Sequence, residues 1–137
     1  MLATQTEPQA SALVQRSNKD AAIDFMHLVS TGHVRQAFAQ YVDRSFKHHN
    51  PFFAAGASSL LEAMDDNAKQ NPDKQLTIHH AIAEGNLVAI HGHVRHSPTE
   101  IGFALAHVLR FKDGKIVEMW DLGQAIPSSS PNVDGMF

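Results

Sequence analysis

The fold is decided by one stretch near the end of the chain, HVLRFKDGKIVEMWD, residues 107–121. Apolar and polar residues alternate on both sides of a central Lys-Asp-Gly, which predicts two antiparallel strands joined by a tight turn. The stretch begins with His107 and ends with Asp121. Because successive side chains point to opposite faces of a strand, the register of this hairpin determines whether the imidazole and the carboxylate meet.

Two registers are compatible with the turn. A two-residue Asp-Gly turn would place two lysines opposite each other and put the Glu118 carboxylate on the same face as Leu109. A three-residue loop with a left-handed Gly114 as a bulge separates polar from apolar residues better, and we therefore predict it. It pairs His107 with Met119 and makes His107 and Asp121 diagonal neighbours, roughly 7–8 Å apart. The predicted inner face consists of Phe103, Leu105, His107, Leu109, Val117, Met119 and Asp121.

The residues before this hairpin predict helices first and strands afterwards. We expect helices from about Ser17 to Gly32, over 33–41 and from a capping box at Ser59 to about Gln70, with a short strand over 46–49. LTIHHAIA and LVAIHGHVRH predict two more strands. This order indicates an α+β fold in one domain, residues 18–126, between a flexible arm (1–17) and an irregular tail (127–137).

Composition excludes several kinds of protein. The chain has 137 residues and no cysteine, so disulfides, a redox thiol and a thiolate zinc site are excluded. The net charge is −3 with no basic run, which argues against a nucleic-acid partner. No apolar stretch approaches the ~20 residues that span a membrane, and the N-terminus lacks the pattern of a signal peptide. We therefore expect a cytoplasmic protein with no membrane partner.

Three motifs carry a resemblance to a known family. They are Tyr41-x4-Phe46-x2-His49-Asn50-Pro51, then AEGNLVAIHGHV, then RFKDGKIVEMWD. Together they resemble the SnoaL-like branch of the nuclear-transport-factor-2-like superfamily over residues 18–126. The resemblance implies a cone-shaped α+β barrel, in which a bent antiparallel sheet is wrapped by helices and a pocket lies at the open end.

The resemblance also implies a chemistry. SnoaL-type cyclases close polyketide rings by intramolecular aldol condensation, with no metal or organic cofactor. Their catalytic aspartate follows the tryptophan of the last strand, which is Asp121 here, and their partner histidine matches His107. We therefore expect cofactor-free acid–base chemistry on a small carbonyl compound, by cyclisation or isomerisation. The alternatives are a non-catalytic small-molecule-binding or dimerisation module of the same fold, and a structural rather than reactive His107–Asp121 pair.

Further residues are candidates for the site. His49 could bind a carbonyl oxygen, although a turn residue before Asn50-Pro51 is the competing interpretation. We expect the pocket to be lined by Phe25, Asn50, Phe52, His80, Ile90, Leu105 and Met119.

The chain has ten histidines, which raises the question of a metal. Gly85-x5-His91-x-His93 matches the opening of a cupin metal motif, but the glutamate that should follow closely is missing, since Glu100 comes too late. We therefore predict no metal site and keep a metal-dependent enzyme using His91 and His93 as a third alternative. Four other histidines are expected on the surface: His27, His33, His48 and His96.

An exposed tryptophan predicts a partner surface. Trp120 lies on the opposite face of the sheet from Asp121, and a large apolar side chain there is expected to be buried against another surface. Cones of this kind usually dimerise by packing their outer sheet faces, so we expect a homodimer formed through Trp120, Val108, Ala106 and His91.

Overall fold

The computed structural model describes residues 16–137, so most of the predicted N-terminal arm lies outside the described residues. Within these residues, three helices and five strands follow one another. They are α1 (Asn18–Ser30), α2 (Val34–Tyr41), β1 (Val42–His48), α3 (Ala57–Gln70), β2 (Gln75–Glu84), β3 (Leu87–Arg95), β4 (Phe103–Lys112) and β5 (Lys115–Ala125). Residues 127–137 contain neither helix nor strand. None of the helices in residues 16–137 is long and apolar enough to cross a membrane.

The strands form one sheet in the order β1-β5-β4-β3-β2. β1 runs parallel to β5, and the other neighbours are antiparallel. The helices pack on one face of this sheet, which is curved and does not close on itself. The predicted α+β cone is therefore confirmed.

The first and third helices begin for different reasons. Ser17 caps α1 as predicted, because its Oγ accepts a hydrogen bond from the Asp20 backbone N–H at 3.1 Å. The predicted cap of α3 at Ser59 is wrong. That helix begins two residues earlier, after Gly56, whose φ of 98° lies in the region that favours glycine. The Ser59 hydroxyl instead donates to the carbonyl of Ala54 at 2.5 Å.

The predicted turn of the last hairpin is also wrong. The predicted faces are right from Glu118 onward, but the inner position of Val117 is wrong, because Ile116 is buried there instead. Asp113 and Gly114 form a two-residue turn with φ of 50° and 78°, and Lys112 lies opposite Lys115. The like charges are tolerated because this end is open to solvent and the Lys115 ammonium donates to a backbone carbonyl of α2. One extra residue, Val117, forms a bulge that restores the separation of polar and apolar faces.

A second bulge changes the face of β2. The register of β2 against β3 shifts between Ile78 and His80, so that His80 lies opposite His91 on the outer face. The prediction that His80 lines the pocket is therefore wrong. The 65% exposure of Ile82 follows from the same shift.

Three residues that were predicted to line the pocket belong to the hydrophobic core. Phe25, Ile90 and Met119, which were predicted to line the pocket, are almost completely buried there, with exposures of 0%, 1% and 0%. They pack with the inner residues of the helices and sheet and are not in the walls of the cavities described below. The prediction that these three residues line the pocket is therefore wrong.

Candidate active site

His107 and Asp121 lie directly opposite each other on neighbouring strands. They form a cross-strand pair between β4 and β5, on the inner face of the sheet. Both line a cavity of about 560 Å³, which is within the usual range for small-molecule sites. Sequence reasoning placed them on one face but as diagonal neighbours, and the Val117 bulge accounts for the difference.

Each of these residues has a polar atom without a partner. His107 Nδ1 and Asp121 Oδ1 are both shielded from solvent, and neither makes a hydrogen bond within the part of the chain that the structure describes. A buried polar atom left unpaired costs roughly 1–3 kcal/mol. Such exceptions in a native structure need an explanation, and a catalytic role is one of those known.

Asn50 holds the other oxygen of the carboxylate. Its Nδ2 donates to Asp121 Oδ2 at 2.9 Å, while its own Oδ1 accepts from the backbone N–H of Phe52 at 2.9 Å. The amide therefore connects the loop after β1 to the carboxylate on β5. Asn50 also lines the main cavity.

A buried histidine keeps this loop in place. His48 was expected on the surface, but it is only 9% exposed, and that prediction is wrong. Its Nδ1 accepts from the Asn50 backbone N–H at 3.2 Å, and its Nε2 bonds the carbonyl of Ala54 at 2.7 Å. This pattern requires a neutral ring with the hydrogen on Nε2. His48 therefore fixes the backbone on both sides of Pro51 and, with it, the direction of the Asn50 side chain.

His49 lies outside the cone, so its predicted role at a substrate carbonyl is wrong. Its ring stacks on Trp120 with centroids 5.0 Å apart, and its Nε2 contacts Glu118 Oε2 at 2.7 Å. Alternation along β1 explains the position, since Phe46 and His48 point inward. The sequence carries a signal for this position. Phe46 is an apolar residue that is expected to point inward, and strand alternation from Phe46 places His49 on the outer face.

Two residues of the site were missed by sequence reasoning. His96, which was expected on the surface, lines the main cavity, and its ring contacts Glu100 at 3.1 Å. Alternation from Ile90 and Val94 along β3 points to this inward position. Lys74, just before β2, lines two smaller cavities, one shared with His107 and the other with Asp121. A single lysine after a helix carries no pattern that could have identified it.

The electrostatic environment keeps His107 neutral. Burial lowers the pKa of the His107 imidazole, and the nearby Asp121 carboxylate opposes this only in part. A neutral imidazole carries one N–H donor and one acceptor nitrogen. It can therefore donate one hydrogen bond to an oxygen that becomes negatively charged.

The other predicted lining residues divide between two places. Leu105 and Phe52 line the main cavity, Leu105 buried and Phe52 86% exposed at its mouth. The histidines of β2 and β3 lie on the outer face of the sheet. There His80 Nδ1 and His91 Nδ1 are 3.0 Å apart, and the tail ring of Phe137 stacks on His79 and His93.

Within residues 16–137 no three histidine or carboxylate side chains are grouped to hold a metal ion.

The helices packed on a curved, unclosed sheet, with an inner carboxylate and imidazole, define an α+β cone fold. The sequence model of the SnoaL-like domain matches residues 22–119, and the chain belongs to this family. The matched region includes His107 and ends two residues before Asp121. No curated protein matches the chain.

Solved structures agree with this assignment. A protein of Bacillus cereus ATCC 10987, provisionally named a polyketide cyclase, is 26% identical with a TM-score of 0.68, over 83% of this chain and 80% of its own. The provisional hydroxylase AclR of Streptomyces galilaeus is 21% identical with a TM-score of 0.64, over 78% and 88%. A nuclear-transport-factor-2-like protein of unknown function from Cytophaga hutchinsonii is 16% identical with a TM-score of 0.65, over 82% and 94%. The last two likenesses show the fold alone.

Proposed function

We propose that the protein catalyses acid–base chemistry on a small carbonyl compound, with Asp121 as the base. The observation that carries this proposal is a pair of buried atoms beside one cavity, Asp121 Oδ1 and His107 Nδ1, which have no hydrogen-bond partner among residues 16–137. Asn50 bonds the second carboxylate oxygen, and we assign the first, which has no partner among residues 16–137, to the substrate proton. The provisional name of the Bacillus cereus relative agrees with this class of reaction.

The steps follow from these positions. Asp121 removes a proton from the carbon next to a carbonyl, and the electrons of the C–H bond move onto the carbonyl oxygen. Neutral His107 donates a hydrogen bond to that enolate oxygen. In an isomerisation, the protonated Asp121 returns the proton to another carbon. In an aldol cyclisation, the enolate carbon attacks a second carbonyl of the same molecule, a C–C bond forms, and the new alkoxide takes the proton. These steps use only side chains of the protein and require no cofactor.

Exchange of α-protons tests the proposal without knowledge of the natural substrate. Small ketones and β-diketones are incubated with the protein in D₂O, and loss of the α-proton signal is followed by NMR. We expect catalysed exchange that falls at least about a hundredfold in Asp121→Asn, since general base catalysis contributes that much or more. Glu118→Gln, on the outer face, is the matched control and should exchange like the wild type. Ketones that bind without exchange would favour a non-catalytic binding module.

We further propose that a second copy of the chain covers the outer sheet face. A shallow groove of about 250 Å³ runs there between β3, β4 and β5, and Leu122 at its edge is 65% exposed. Trp120 is partly covered within the chain by His49 and by Arg110, whose guanidinium lies 5.7 Å from the ring centre. Sedimentation should show a dimer that Leu122→Glu dissociates. A monomeric wild type would contradict this proposal.

A further inference from the structure

Lys74 brings a cationic side chain to the wall of the site. It lines a cavity of about 190 Å³ with His96 and His107, and a second of about 180 Å³ with Asn50 and Asp121. In the part of the chain that the structure describes, no other lysine or arginine lines these two cavities or the main one. The lysine and the proposed base therefore border the same space.

The surroundings of Lys74 differ from those of a surface lysine. Its ammonium donates to the side-chain oxygen of Asn67, a neutral amide, and has no carboxylate partner within 4.0 Å among residues 16–137. By contrast, the exposed Lys69 pairs with Asp65 at 3.0 Å. Burial lowers the pKa of Lys74, as expected for a cation that is removed from water without a countercharge.

An anion in the cavity would supply that countercharge. A partly desolvated ammonium gains more from a carboxylate than an exposed one does, because the surrounding dielectric is lower. The same anion placed beside Asp121 would be repelled by its carboxylate. A ligand with a carbonyl at one end and an anionic group at the other avoids this repulsion, because the anionic group pairs with Lys74 while the carbonyl end lies beside Asp121.

We propose that Lys74 makes the site selective for carbonyl compounds that carry a carboxylate, which pairs with the ammonium while the carbon next to the carbonyl faces Asp121. This inference rests on the proposed acid–base function and names the class of its substrate. Lys74 is then a residue that binds and orients the substrate, and Asp121 remains the base.

A matched pair of probes tests the inference. Levulinate (4-oxopentanoate) and its amide differ only in the charged group, and NMR titration gives the affinity of each. We expect the wild type to bind levulinate about tenfold more tightly than the amide, the amount that one charge-assisted hydrogen bond supplies. Lys74→Met should lose this preference, whereas the control Lys112→Met, at the exposed hairpin turn, should keep it. Equal affinities in the wild type, no binding of levulinate, or a preference that survives in Lys74→Met would overturn the inference.

A second measurement distinguishes a binding role from a structural one. Lysines are dimethylated with ¹³C-formaldehyde and titrated by NMR, with the Lys74 signal assigned by its absence in Lys74→Met. Levulinate should raise the pKa of Lys74, because an adjacent anion favours the ammonium, and the amide should not. No rise with levulinate would overturn the inference.

The failure of this inference is distinguishable from failure of the proposed function. Asp121→Asn should keep the preference for levulinate although it loses α-proton exchange. Exchange that depends on Asp121, together with equal binding of the two probes, would reject the role of Lys74 and leave the acid–base function standing.

Discussion

His107 and Asp121 lie directly opposite each other on neighbouring strands, and each keeps one buried polar atom without a partner in the described chain. A structural pair in this position would be expected to form a hydrogen bond between the two side chains. Instead, the carboxylate is bonded on one side by Asn50 Nδ2 at 2.9 Å, and both residues border a cavity. This arrangement is the one that the proposed base requires, with one carboxylate oxygen held by Asn50 and the other without a partner among residues 16–137.

The first prediction concerns the orientation of the carboxylate. Asn50→Leu removes the donor to Asp121 Oδ2 and the acceptor for the Phe52 N–H. Because misplacing a reacting group by about 1 Å can cost a hundredfold in rate, we expect exchange to fall about tenfold to a hundredfold. Asn50→Asp, which can keep the acceptor but not the donor, should fall similarly. Unchanged exchange in both variants would show that Asn50 does not position the base.

The second prediction concerns the outer position of His49. His49→Ala should leave α-proton exchange within about twofold of the wild type, and the lost stacking on Trp120 should lower the free energy of unfolding by about 0.5–1.5 kcal/mol. His49→Phe should recover part of this loss because a ring is restored. Urea unfolding measures the stability. A large loss of α-proton exchange in His49→Phe would instead show that His49 takes part in the reaction.

The third prediction concerns stability at low pH. The pKa of His107 is lowered from its usual 6.5 in the folded protein, so below about pH 6.5 the unfolded chain binds a proton that the folded chain resists. Stability contributed by this group is therefore present above pH 6.5 and is lost as the pH falls through the lowered pKa. His107→Gln should lose less stability than the wild type between pH 7.5 and pH 5. Equal losses in urea unfolding would show that His107 titrates normally.

The fold is predictable from the sequence because helices and strands leave periodic patterns of apolar residues. The alternation around Phe111 and Met119 fixes the faces of the last hairpin, and Ser17 and Gly32 fix the ends of α1. The bulges at Val117 and near His80 were missed, because a strand with a bulge has the same kinds of residue as a regular strand. The extra residue nevertheless reverses the face on which every later side chain of the strand lies.

The site was less predictable for a similar reason. Asp121, His107 and Asn50 follow from strand faces and the family motifs, whereas Lys74 reaches the cavity through a connection whose path has no periodic signal. The inward position of His48 was encoded in the alternation along β1, but its hydrogen bonds to Ala54 and Asn50 depend on how the loop folds back.

The structure of a complex with an enolate analogue tests the central claim most directly. A substituted phenol is planar and carries its charge on oxygen, as the proposed intermediate does. The account predicts that its oxygen lies within about 3.2 Å of a ring nitrogen of His107, with a ring carbon facing the Asp121 carboxylate. A phenol bound in the cone away from both side chains, or only on the outer face of the sheet, would contradict it.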